Sequence, residues 1–205
     1  MGTNYRNLLP PHGADDPGKV GVSGTEEKDL NLEIALQLKD YLVEQGMEVV
    51  MTREDDISLA EEGASSAKVS DLKKRVEIID GADAALAVSI HQNSYTDSAV
   101  SGAQVFYYGD SAEGKLLAEA LQQNLIDNLD PSNTRAAKAN ESYYILKKTS
   151  IPTVIVECGF LSNPEEEALL SDEAYQEKIV EAVYEGIVDY LGRNTENNGE
   201  ADSSE

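Results

Sequence analysis

Residues 84–94, AALAVSIHQNS, decide the fold. The run of small and branched apolar residues through Val88 and Ile90 reads as a strand buried on both faces. It ends in Ser89, His91 and Asn93, and α/β enzymes place their sites at the carboxyl edge of such strands. A second run of this kind, TVIVECGF over Thr153–Phe160, follows Pro152 and carries Glu157 at its polar end. His91 is one of two histidines in the chain; the other, His12, lies in the Gly- and Pro-rich segment PPHGADDPGK.

Helical periodicity surrounds these strands. Leu30, Ile34, Leu38 and Leu42 recur at helical spacing within residues 27–45, with Thr25 expected as the cap and Gly46 as the stop. Further helices are predicted over 69–79 (Leu72, Val76 and Ile79 inward), 111–129 and 164–170. A last helix runs from a cap at Ser171 or Asp172 to Leu191. Strands are predicted over 47–51 and 102–108, with short ones over 5–9 and 143–146, and residues 54–68 read as a loop. Strands alternating with helices define the α/β class, as a three-layer sandwich around a mixed sheet. One domain is expected over residues 1–192, with an atypical N-terminus over 1–11. The polar residues 193–205 are expected to form a disordered acidic tail.

Composition narrows the functions. The chain has 205 residues, 10 Tyr, 2 Phe and no Trp, so its core is mostly aliphatic. A net charge of −23 repels phosphate backbones and anionic bilayers, so neither nucleic acid nor a membrane surface is expected as a partner. A single cysteine, Cys158, excludes an internal disulfide and any multi-cysteine zinc site. No apolar run reaches transmembrane length. The segment MGTNYRNLLPP lacks the basic and apolar regions of a secretory signal, so the chain is expected either to work inside the cell or to lack its export segment.

Four residues carry candidate chemistry. His12, His91 and Glu27 make a nitrogen and carboxylate set suited to a catalytic zinc, which takes three protein ligands and leaves a place for water. Glu157 is the candidate proton carrier. Three of the four have a plainer reading. His91 fits a hydrogen-bonded strand end, Glu27 a favourable charge at a helix N-terminus, and Glu157 a cap or ion pair. Spacing alone leaves these open.

The pieces HGADDPGKVGVSGTEEKDLNLEIAL, VVMTREDD, LKKRVEIIDGADAALAVSIHQNS, SGAQVFYY and IPTVIVECGFLSNPEEEALL, in this order over about residues 9–191, resemble the zinc-dependent N-acetylmuramoyl-L-alanine amidases. The likeness is to the compact amidases of spore-forming Gram-positive bacteria, including the type that prepares spore cortex. It implies a roughly six-stranded mixed sheet flanked by helices. It also implies one zinc held by His12, Glu27 and His91, with Glu157 catalytic. Asn93 is implied as a substrate-binding residue near the site, Arg75 as structural, and Cys158 as a buried filler. Peptidoglycan and its muropeptides are the implied substrate, the cell envelope or exterior the implied location, and a monomer the implied state. The chain departs from the family at its first strand. Leu9 stands where the family has Asp, and Pro11 and Ala14 where it has Gly, so Leu9 cannot orient a histidine ligand. A non-catalytic cell-wall binding or regulatory homologue that has lost zinc is therefore the alternative, decided by whether His12 reaches His91. A nucleotide-binding domain is disfavoured, because no GxGxxG or P-loop follows a strand.

Overall fold

The two apolar runs become neighbouring strands in the middle of one sheet. The computed structural model describes residues 5–201. Among them, β1 (Tyr5–Leu9), β2 (Glu48–Met51), β3 (Leu86–Asn93), β4 (Gln104–Tyr107), β5 (Lys138–Ala139) and β6 (Thr153–Phe160) form a sheet of order β2-β1-β3-β6-β4-β5. The first four in that order run parallel, while β4 runs antiparallel to β6 and carries β5 parallel to itself. The sheet is therefore mixed, as expected.

Six helices cover it: α1 (Glu27–Glu44), α2 (Ala67–Gly81), α3 (Ala112–Leu129), α4 (Tyr144–Lys148), α5 (Pro164–Leu170) and α6 (Glu173–Ala201). Alternation along the strands fills two cores. Leu86, Val88 and Ile90 of β3 join Val154, Val156 and Cys158 of β6 against α1, α3 and α6. Ala87 and Ile155 face the other way, toward Ile79 of α2 and toward Ile145 and Leu146 of α4. This gives three layers in a single α/β domain. The buried stripe of α1 is the predicted one, Leu30, Ile34, Leu38 and Leu42. Cys158 is buried in the larger core, where burial pushes its thiol up and keeps it protonated.

Three local expectations are corrected. Residues 143–146 do not form a strand. Tyr144–Lys148 is a helix that buries Ile145 and Leu146, and the edge strand is Lys138–Ala139. Four residues hold too little periodicity to separate a strand from one helical turn. Thr25 does not cap α1. Glu26 is the N-cap without a side-chain bond, and the Thr25 N–H instead donates to Glu167 at 3.4 Å. The backbone of α6 continues past Leu191 to Ala201. The segment after Gly192 has no proline to stop a helix, and missing apolar periodicity argues against packing rather than against helix. Residues 202–205 lie outside the described residues. No described helix is long and apolar enough to cross a membrane.

Among the described side chains of α6, the last that pack in the core are Ile187, Tyr190 and Leu191. Removing residues 194–205 is therefore expected to shift the melting temperature by less than about 2 °C in calorimetry, a fraction of a kcal/mol for a chain of this size. A larger drop would mean that the end of the chain contributes to the core.

Candidate metal centre

β1 leads directly into the segment that presents His12. The strand lies beside β3 with Leu9 opposite Ser89, and the Ser89 hydroxyl donates to the Leu9 carbonyl at 3.1 Å. Beyond it, Pro10 and Pro11 supply carbonyls but no N–H groups. Two arginines collect those carbonyls. Arg75 of α2, 1% exposed, donates to Pro10 O at 2.7 Å and His12 O at 3.1 Å. Arg53, just after β2, donates to Pro10 O at 3.0 Å, Pro11 O at 3.1 Å and Lys28 O at 2.8 Å. Burial, and then the charge of Arg75, lower the Arg53 guanidinium to about 10, so it stays charged at neutral pH. The clamp holds His12 at φ 62, a left-handed conformation uncommon outside glycine.

The loop then folds back under the histidine. Gly18 has φ +72, and a Cβ there would lie 2.8 Å from His12 Cδ2 and 2.5 Å from Glu27 Oε2. Only glycine lets the backbone pass between these two side chains. Asp16 Oδ2 meets His12 Nδ1 at 2.8 Å, while its Oδ1 accepts from Gly18 N at 3.1 Å. Burial pushes the Asp16 carboxyl up, but the hydrogen bond and charge of His12 outweigh it and hold the group low. The sequence expectation that the ligand lacks an orienting carboxylate is thus corrected. Leu9 is buried in the smaller core with Ile79, and Asp16 fixes the ring from the other side of the turn.

Three donors converge. His12 Nε2 lies 3.5 Å from Glu27 Oε2, and His91 Nδ1 lies 3.0 Å from Glu27 Oε1. The imidazole centroids are 5.8 Å apart. The ligand atoms of His12, Glu27 and His91 all lie within 4.8 Å of one another. Glu27 is also tied by Lys19 N at 2.8 Å, Gln92 N at 3.2 Å and Asn31 Nδ2 at 3.3 Å. Burial alone would raise its pKa, but the His91 hydrogen bond, the charges of His91 and His12 and the Lys19 N–H bring it down to about 2. The loop that leads into Glu27 is anchored by α5, whose buried Glu167 accepts Ser23 N at 2.9 Å and Ser23 Oγ at 2.7 Å.

Glu157 stands opposite His91 in the parallel register of β3 and β6, so both side chains leave the sheet on the same face. It is 6% exposed, and its Oε2 is buried with no hydrogen-bond partner among the described residues. Burial pushes its pKa up to about 7, opposed by His91 and reinforced by Glu27. Leaving a buried carboxylate oxygen unmatched is costly, which points to a role with something that occupies the site. Tyr143 packs edge-on against Phe106 at 5.7 Å, and burial together with the charges of Glu157 and Glu27 raises its phenol. Asn93 ends β3 with its Oδ1 accepting Ser94 N at 2.8 Å, a local strand-end bond. Two imidazoles and a carboxylate fit a zinc ion by the chemistry of the donor set, and the unmatched carboxylate beside them fits a bound water or substrate.

Sequence reasoning missed Asp16, Arg53 and, in its detail, Arg75. The pairing of Asp16 with His12 spans four residues, and the DDPG turn itself was the available signal.

A donor set of this kind at the carboxyl edge of a mixed sheet, beside a carboxylate oxygen without a hydrogen-bond partner among the described residues, suits a metal-dependent hydrolase. A family model described as N-acetylmuramoyl-L-alanine amidase matches residues 8–189. The chain belongs to that family. It is 44% identical over 187 residues to the germination-specific N-acetylmuramoyl-L-alanine amidase of Bacillus subtilis, covering 90% of this chain and 78% of that one. It is 30% identical over 227 residues to the amidase AmiA of Escherichia coli, covering 90% and 75%. Among solved structures, the CwlD amidase of Clostridioides difficile, determined in complex with the GerS lipoprotein, superposes with a TM-score of 0.88 at 42% identity. That match covers 92% of this chain and 98% of the other.

Two substitutions test the support of His12. Asp16→Ala is expected to leave the fold intact and weaken zinc binding about 10- to 100-fold, the range for loss of a partner that orients a metal ligand. Competition with a chromogenic chelator measures this, and unchanged affinity would remove Asp16 from the role. Arg75→Leu strands the His12 carbonyl and leaves Pro10 O to Arg53 alone, and is expected to cost about 3 kcal/mol in urea unfolding.

Proposed function

We propose that this chain is a zinc-dependent peptidoglycan amidase that hydrolyses the amide between the lactyl group of N-acetylmuramic acid and the L-alanine of the stem peptide. The observation that carries this reading is the Glu157 carboxylate, whose Oε2 has no hydrogen-bond partner among the described residues, in register with His91 and next to the converged His12, Glu27 and His91. Family membership supplies the reaction class.

His12 through Nε2, Glu27 through its carboxylate and His91 through Nδ1 would hold one zinc. Zinc supplies Lewis-acid polarisation of the amide carbonyl and a more acidic water at the site. Glu157 receives the proton of the attacking water on its free carboxylate oxygen. It then delivers that proton to the departing amine nitrogen of L-alanine, so that the carbon–nitrogen bond breaks with a neutral leaving group. A buried carboxylate with its pKa raised to about 7 both accepts and releases a proton near neutral pH. Asn93, at the rim where β3 ends, contacts the bound muropeptide. All these groups come from one chain, which supports a monomer as the catalytic unit. Action in the cell envelope follows from the substrate. The non-catalytic alternative required His12 to miss His91, and the ring separation of 5.8 Å favours the enzyme.

Glu157→Gln tests the proton carrier. The variant is expected to retain about one zinc per chain by elemental mass spectrometry and to lose roughly 10²- to 10⁴-fold in turnover of a muropeptide. Turnover at the parent rate would sink the assignment. Dialysis of the parent against a zinc chelator is expected to abolish cleavage, and added zinc to restore it.

A further inference from the structure

The row of side chains at the site does not end at Glu157. On the far side of β6 from His91, β4 places Gln104 directly opposite Glu157. Residues opposed in an antiparallel pair project to the same face, so His91, Glu157 and Gln104 lie side by side on three adjacent strands. Gln104 is joined to Arg135, whose terminal nitrogen meets Gln104 Oε1 at 3.4 Å, while Gln104 Nε2 donates to Ala136 O at 3.0 Å.

Arg135 is held ready without being neutralised. Its Nε donates to Ser101 O at 2.8 Å, and its guanidinium carbon lies 4.9 Å from the centroid of the Phe160 ring at the end of β6. The backbone before it is fixed as well. Asn133 accepts from Arg135 N at 3.0 Å and donates to Ala103 O at 2.9 Å. The guanidinium thus reaches a backbone carbonyl and a side-chain amide, but forms no ion pair with a carboxylate among the described residues. Glu166 lies close enough to feel its charge, yet both Glu166 oxygens are taken by main-chain N–H groups, Gly102 and Phe160, each at 2.8 Å. In a chain with 39 acidic and 16 basic residues, a half-buried arginine without an acidic partner is conspicuous. Its planar fork suits bidentate capture of a carboxylate.

We propose that Arg135, seated on Phe160 and Gln104, is a subsite for a carboxylate of the stem peptide. The inference rests on the amidase reading and extends it to the peptide side of the scissile bond. A muropeptide carries its anionic groups on the peptide, because the lactyl carboxyl is consumed in the amide that is cut. The spacing agrees. One strand step of about 4.8 Å separates Glu157 from Gln104, and the guanidinium lies one side chain further on. Two extended residues span about 7 Å, so the arginine meets a carboxylate on the residue that follows L-alanine. Here Arg135 sets specificity and takes no part in proton transfer.

The test uses two muropeptides that differ only in whether the carboxyl of the second stem residue is free or amidated. Both are assayed with the zinc-loaded parent, with Arg135→Gln and with Arg135→Lys. The parent is expected to favour the free acid about tenfold in kcat/KM, mostly through KM, and the preference is expected to shrink at high salt. Arg135→Gln is expected to cut both forms equally, and Arg135→Lys to keep part of the preference. If Arg135 only ties the Ser101 segment to Phe160, Arg135→Gln slows both substrates alike and the preference survives, which overturns the proposal. Equal handling of the two substrates by the parent overturns it without any variant. Cleavage without preference removes the subsite and leaves the amidase reading standing, whereas no cleavage of either removes both.

Discussion

Two guanidinium groups gripping three consecutive carbonyls are the constraint on which the site depends. Pro10 and Pro11 offer acceptors without donors, and Arg53 and Arg75 converge on them from two directions. Charged donors make hydrogen bonds of roughly 1.5–3 kcal/mol each, enough to offset the about 1–3 kcal/mol of a residue held in the left-handed region. His12 is held in that way, with its Nε2 toward Glu27 and its Nδ1 on Asp16. A proline-rich turn that looks ill suited to a metal ligand is thus made rigid by partners 42 to 65 residues away in sequence.

The same neighbourhood treats its two buried glutamates in opposite ways. Glu27 is surrounded by N–H donors and imidazoles, which keep it ionised. Glu157 is buried, with one oxygen that has no hydrogen-bond partner among the described residues, so it is drawn toward neutrality. Paired carboxylates whose environments pull their pKa values apart divide the labour of binding and proton transfer between them.

Much of this was legible in the sequence. The apolar runs of β3 and β6 specified the sheet, and their polar ends specified His91 and Glu157. The stripe of α1 placed Glu27 at a helix start. The Arg53–Arg75 clamp was not legible, because its bonds join side chains to backbone carbonyls distant in sequence, and no local pattern records a carbonyl. The sequence places an orienting carboxylate at the end of β1, where Leu9 stands; it comes instead from Asp16 in the loop that follows, because the turn that brings Asp16 back depends on Gly18 passing between His12 and Glu27. The Tyr144–Lys148 helix is not legible in the sequence because its two inward residues, Ile145 and Leu146, are consecutive and suit either type of element.

The reversed direction of β4 has a consequence for how this scaffold can change. Parallel strands deliver their ends to the site, but β4 delivers its beginning, so the residues that border Glu157 on that side arrive through the connection over 94–103. That connection and the segment over 130–137 meet where Arg135 reaches Ser101. Both lie outside α1, β3 and β6, which carry Glu27, His91 and Glu157, and outside the loop after β1 that presents His12. Insertions there would reshape the border of Glu157 while these four residues stay in place, so the surroundings of the site and its polar groups can diversify independently on the same sheet.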